Sequence, residues 1–264
     1  MFSTDPNPSK SKTKCIFVCG KSKNLAKPVP LRLGGRELPW VSSATHLGHE
    51  LHESCTMEHD AEVKRAIFIR NSLEIRESFS FANPVEILSA MKVYCSSFYG
   101  SMLWELGGEG ANKVFNSWTT AVKLTWGVPR ATRSYLVQRV LDSGLTSAKV
   151  DILSRYSGFF QGLRKSPSYE VSVMASLAGR DLGSVTGRNL KLIGDLAELD
   201  PWVVSSARLK EQLVNKSLVD VPPTDQWRVP YLSSLLEMRH RYYYQGDSDS
   251  ASEVSELINS LCIN

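Results

Sequence analysis

The chain has 264 residues, 42% of them hydrophobic, with a formal net charge of +4, enough to bury a sizeable core in one domain with a small appendage. No apolar run approaches the roughly 20 residues that span a bilayer, and the polar segment Met1 to Lys14 lacks the apolar stretch of a signal peptide. Five scattered cysteines, Cys15, Cys19, Cys55, Cys95 and Cys262, do not make a disulfide framework, so a soluble, intracellular protein with reduced thiols and no membrane partner is expected.

The charge is unevenly placed. Residues 1–40 carry a net +6, whereas residues 241–264 carry a net −3, a distribution compatible with one end that touches phosphate and one that does not. Met1 to Ser11 is rich in Ser, Pro and Asn without hydrophobic periodicity, and residues 1–13 read as a flexible basic segment. Residues 14–55 read as β-rich: Ile16 to Val18 is a β-favouring run, and Pro30 to Val41 forms two short strands turning at Gly34-Gly35. His46 to Leu51 reads as a further strand, and Pro39 suits an edge.

From residue 56 the pattern turns helical and stays so to residue 245. Thr56 is the expected cap of a first helix with Glu58 and Asp60 in its opening turn, Val63, Ala66, Ile67 and Leu73 inside, and Lys64, Arg65, Arg70 and Arg76 outside. Asn83, Pro84 and Glu86 mark the next start, followed by Leu88, Met91, Cys95 and Phe98 on one face. Further helices are expected near 111–126, 133–143, 147–164, 168–179, 187–198, 203–216 and 231–244. The stripes Phe115, Trp118, Val122, Trp126 and Leu153, Tyr156, Phe160, Leu163 read as core. Tyr242 to Tyr244, beside Arg239 and Arg241, read as a helix end packing its rings inward, the alternative being a stacking surface for bases. Residues 246–264 read as an acidic, serine-rich linker (246–252) and a short helix with Val254, Leu257, Ile258 and Leu261 on its apolar face. The expected fold class is therefore α+β and predominantly α.

Four strings are long and peculiar: FSTDPNPSKSKTKCIFV, LGGRELPWVSSATHLGHEL, FYGSMLW and WGVPRATRSYLV. In content, order and spacing they resemble the part of non-LTR retrotransposon reverse transcriptases that follows the polymerase catalytic motif. The resemblance runs from Phe2 to at least Leu141, and more faintly to Leu209. It implies the end of a polymerase palm, a helical thumb and a carboxy-terminal extension, with RNA or an RNA–DNA template-primer as partner. Asn7 to Lys14 matches the family's lysine-containing segment near the incoming triphosphate, which makes Lys10, Lys12 and Lys14 candidate phosphate contacts. Thr45 to Leu51 matches the segment that resembles the primer-grip hairpin, with His46, Leu47 and Gly48 as candidates, although His46 stands where the family commonly shows an aromatic residue.

Nucleotidyl transfer needs carboxylates that hold two divalent cations. In this family they lie on an earlier strand pair with a Tyr-x-Asp-Asp type motif, and the chain contains no Asp-Asp dipeptide. Mg2+ is accordingly expected for the full-length family enzyme, and no cofactor, catalytic residue or metal ligand for this chain. Asp60, Asp142, Asp151 and Asp200 read as solvated or helix-end residues. His46, His49, His52, Cys55 and His59 have zinc-ligand identities. On a single strand, however, His46 and His49 would face opposite ways. Cys15 and Cys19 would stand roughly 13 Å apart on a strand, too far to share a metal. No serine lies in a nucleophile elbow. Arg130, Arg133 and Arg139 flank an expected helix start whose free N–H groups favour anions, which adds Arg130 and Arg133 to the candidate nucleic-acid contacts.

The reading is a truncated reverse transcriptase-like protein that binds template-primer, possesses no active centre and associates with a separate polymerase portion. The alternatives are a helical interaction or scaffold protein, or an inactive remnant of a mobile element.

Overall fold

A computed structural model of the chain describes residues 13–17, 29, 31–54, 56–141, 145–217 and 222–263. The described fold is α+β and predominantly α, with the strands at the amino-terminal side of the helices. Three two-stranded sheets form there. β1 (Cys15–Ile16) pairs in parallel with β4 (Trp40–Val41), β2 (Arg32–Leu33) pairs antiparallel with β3 (Arg36–Glu37), and β5 (Ser43–His46) pairs antiparallel with β6 (His49–His52). The Gly34-Gly35 turn is where expected, both residues having positive φ. The strand expected over His46 to Leu51 is instead the tip and second limb of a hairpin, because Leu47 and Gly48 both adopt positive φ and fold β6 back on β5.

The helices follow as α1 (Glu58–Ser78), α2 (Pro84–Tyr94), α3 (Glu109–Thr125), the single turn α4 (Ser134–Leu136) running into a π-helical stretch (Val137–Leu141), α5 (Ala148–Arg164), α6 (Tyr169–Arg180), α7 (Val185–Ala197), α8 (Ser206–Ser217), α9 (Arg228–Gln245) and α10 (Ser248–Ile263). Their starts follow the capping rules: the Asn83 side chain accepts the Val85 N–H, and Ser147, Ser168 and Ser184 accept from Val150, Val171 and Gly187. Thr56 does not cap α1, whose flanking residue is Met57. Residues 248–252, expected as linker, are the first turns of α10, and Gly246 in the left-handed region ends α9 just before it. No helix among the described residues is long and apolar enough to cross a membrane. Cys15, Cys95 and Cys262 are free thiols.

α1, α2, α3 and α5 form one packed group, α5 to α8 a second sharing α5, while α9 lies on the π-helical stretch and α10 packs on α9. One apolar core runs through all three. Phe68, Phe98, Trp104 and Trp118 form its aromatic heart, with Phe68 5.5 Å from Phe98 and 6.3 Å from Trp118. Gly110 lets α3 approach α1, since a Cβ there would meet the Ala61 Cβ at 3.1 Å. The α2 stripe and the stripes of α3 and α5 are inside as expected, save that Trp126 and Leu163 are only partly buried.

α1 is rotated from the expected face. It buries Asp60, Ala61, Phe68 and Ser72, while Ala66, Ile67 and Leu73 are exposed. Arg65, expected outside, reaches inward and donates to Ser117 Oγ at 3.0 Å. Burying the large Phe68 ring between Phe98 and Trp118 outweighs hiding the smaller aliphatic groups. Trp118 is buried with the Lys92 ammonium 5.1 Å from its ring centre. Replacing Trp118 by Ala is expected to destabilise the fold by about 3 to 5 kcal/mol through lost burial and a residual cavity. Denaturant unfolding measures this, and an unchanged midpoint would place that face of α3 in solvent.

Candidate nucleic-acid interface

The β5–β6 hairpin is held from beneath by one buried carboxylate. Asp60, in the first turn of α1, accepts the Glu50 N–H at 2.9 Å and the Trp104 Nε1–H at 2.8 Å. Its Oδ2 lies 3.8 Å from His49 Nδ1. The His49 ring stacks on Tyr99 with centres 5.2 Å apart, and its Nδ1 is buried without a hydrogen-bond partner. Gly100 makes this fit possible: its φ is +84°, and a Cβ there would fall 1.6 Å from His49 Cε1. From the other side, Lys64 Nζ donates to the Gly48 carbonyl at 2.6 Å. THLGHEL and FYGSMLW, far apart in the chain, are thus interlocked through His49, Tyr99, Gly100 and Trp104.

The tip that this support presents is open. His46, Leu47 and Gly48 are exposed, with Leu47 76% accessible at a φ of +49°. A bulky residue in that region of backbone space is strained, and strain is tolerated where surrounding contacts over-determine it. Those contacts are the ones to Asp60 and Lys64. Lys14 is exposed beside β1, where the Cys15 N–H donates to the Pro39 carbonyl at 3.0 Å, so it is tied to the strand leading into the hairpin. Lys10 and Lys12 lie outside the described residues.

The two arginine candidates separate. Arg130 is exposed, and its carbonyl, with that of Thr132, accepts from Lys123 Nζ at 2.7 Å. Burial lowers the Lys123 pKa from its ordinary value. Arg133 instead meets Asp225 at 2.5 Å, in a cluster where Tyr135 Oη–H donates to the same carboxylate at 2.8 Å and Arg228 Nε lies 3.2 Å away. The helix start expected to favour anions is one turn long, and the N–H groups of Leu136 and Val137 return to the Arg133 carbonyl. Through Asp225, Arg133 joins the chain to the segment just before α9.

The aspartates expected as solvated also divide. Asp200 is exposed, Asp142 lies outside the described residues, and Asp60 and Asp151 are buried. Asp151 pairs with Lys92, accepts from Thr146 Oγ1 at 2.9 Å and lies 3.6 Å from Lys210. Of the histidine cluster, His52 and His59 have ring centres 5.6 Å apart, while His46 and His49 pair across the hairpin rather than alternating along a strand. Cys19 and Cys55 lie outside the described residues, among which no three potential ligands converge on a metal site. Sequence reasoning missed the Asp60 clasp. Leu-Gly between two β-favouring limbs was the available signal for the hairpin, since a glycine after a turn residue allows two successive positive φ angles.

No family model matches the chain, and no curated protein and no solved structure matches it.

Two measurements check this geometry. Asp60→Ala leaves the Glu50 and Trp104 donors unpaired, at about 1 to 3 kcal/mol for each buried group. Hydrogen exchange across residues 43–52 should therefore accelerate more than exchange in α5; uniform acceleration would mean that the carboxylate does not hold the hairpin in particular. At Asp225, the Tyr135 hydrogen bond, followed by the charges of Arg133 and Arg228, lowers the carboxyl pKa below its ordinary value. A depressed carboxylate contributes stability that is present above the unfolded pKa, near 4, and lost as pH falls through the folded one. Asp225→Asn should lower stability at neutral pH and make the acid limb below about pH 4 shallower than in the parent chain. Parallel pH-stability curves for the two would contradict that assignment.

Proposed function

We propose that this chain is the thumb-side part of a reverse transcriptase-like protein and that it holds an RNA or RNA–DNA template-primer without performing polymerisation itself. The observation that carries this reading is the seating of the THLGHEL hairpin on the FYGSMLW turn. Two strings that resemble the non-LTR family are in contact, and the strained, exposed tip His46-Leu47-Gly48 is where a grip on a strand end would be. Lys14, anchored on the neighbouring β1–β4 pair, supports extension of that contact to the basic segment with Lys10 and Lys12.

The Mg2+ of the family does not fit the three buried aspartates. Asp60 is held by two N–H donors, Asp151 by Lys92 and Thr146, and Asp225 by Arg133, Tyr135 and Arg228, so no pair of them is arranged for divalent cations. The chemistry would belong to an associated polymerase portion. Exposed Ala66, Ile67, Ile69 and Leu73, interleaved with the Arg70–Glu74 ion pair on the outer side of α1, support such an association.

The test is the salt dependence of binding to an RNA–DNA duplex. Each neutralised phosphate releases counterions, so replacing Lys10, Lys12 and Lys14 together with Gln should flatten the logarithmic salt slope by up to about 3 units, with little dependence on base sequence. The same change at Lys21, Lys23 and Lys27 is the control. Equal effects would mean generic attraction of a basic end, and undiminished binding after the first triple change would refute the reading.

A further inference from the structure

We propose a second nucleic-acid site at the opposite end of α1: an aromatic groove that takes unpaired bases of a single strand. Lys64, beside the hairpin, and Arg76, at the groove, are separated along α1 by about 18 Å at 1.5 Å per residue. The groove has a volume of about 770 Å³ and lies between the loop from α1 to α2, the end of α3 and the last turns of α9. The proposal shares with the preceding section only the class of ligand and stands whether or not the hairpin grips a primer.

The rings at this groove are not packed inward. Phe81 is 93% exposed, Tyr243 64% and Tyr244 67%, whereas their neighbour Tyr242 packs against the core. Large aromatic groups left in water in one place are informative, unlike a single exposed leucine. They are also held in position. Tyr244 Oη–H donates to the Phe81 carbonyl at 3.3 Å, and the His240 ring meets the Tyr244 ring edge-on with centres 4.6 Å apart. Behind them, Arg239 donates to the Trp126 carbonyl, and Trp126 Nε1–H donates to the Leu141 carbonyl at 2.7 Å, which fixes the wall against the core.

The charge of the lining selects the occupant. Arg76, Arg239 and His240 line the groove together with one carboxylate, Glu77. Exposed rings stack on the π-faces of bases whatever their sequence, and a cationic border tracks the phosphates. An apolar helix or lipid tail would match the rings but bring no anionic partner to Arg76. A single strand satisfies both, and unlike a duplex its bases are free to enter.

The experiment is binding of the full chain to a fluorescent oligouridine of about eight nucleotides, a length in the range covered by single-strand sites. Phe81 and Tyr243 side chains are mostly in solvent, so the double change Phe81→Ala, Tyr243→Ala should fold as the parent does, which a thermal melt checks. It should weaken binding about tenfold or more, whereas Tyr243→Phe, which keeps the ring, should bind as the parent. Oligonucleotide carrying 4-thiouridine should crosslink to residues 79–82 or 240–244. Binding unchanged by the double variant, equal loss in Tyr243→Phe, or crosslinks confined to the hairpin would each overturn the proposal. Changing Leu47 to Ser separates the two sites: loss of duplex binding with oligouridine binding intact supports this site, while loss of oligouridine binding alone moves the strand to the hairpin and overturns it.

Discussion

Asp60 holds together three pieces of chain that have little reason to meet on their own. A two-stranded hairpin is marginal in water, and the β5–β6 pair persists as a placed element because a buried carboxylate at the start of α1 accepts from its backbone and, with the same group, from the Trp104 indole. A buried charge without such donors would be strongly unfavourable. The donors and the charge therefore require each other. The consequences run outward: Trp104 is fixed against Phe98, Phe98 against Phe68, and Phe68 sets the rotation of α1. What α1 shows to solvent is decided by that chain of contacts rather than by its own amphipathic pattern.

The same logic recurs twice in the helical part. Asp151 ties α5 to α2 through Lys92 and to α8 through Lys210, and Asp225 ties the start of α9 to Arg133 and Tyr135. Each joins segments distant in sequence. Removing one partner of a buried pair is far more disruptive than the pair's net contribution suggests, because the other charge is left behind. These acids organise the fold.

The polar groups so engaged define by contrast the groups that are presented. Along α1 they are the strained hairpin tip at one end, an outer side of mixed aliphatic and charged residues in the middle and the ring-lined groove at the other end. Lys64 and Arg76 mark the two ends. A nucleic acid recognised here would be held by backbone contacts and stacking, modes that place a strand without selecting its sequence.

Much was legible in the residues alone. The predominance of helix, the Asn83-Pro84 start, the Gly34-Gly35 turn and the buried stripes of α2, α3 and α5 follow from local rules, because capping, turn chemistry and periodicity act within a few residues. The exposed tip at Leu47-Gly48 was legible as a candidate through resemblance, though not as a turn. Beyond that reach lay the rotation of α1, the helical start of α10, the engagement of Arg133 and the outward rings of Tyr243 and Tyr244. An arginine reads alike whether it meets phosphate or Asp225, and a tyrosine alike whether it faces core or solvent. Only the tertiary structure decided those cases, because the partner in each lies on an element remote in sequence and its position is set by how the helices pack, not by the residues on either side.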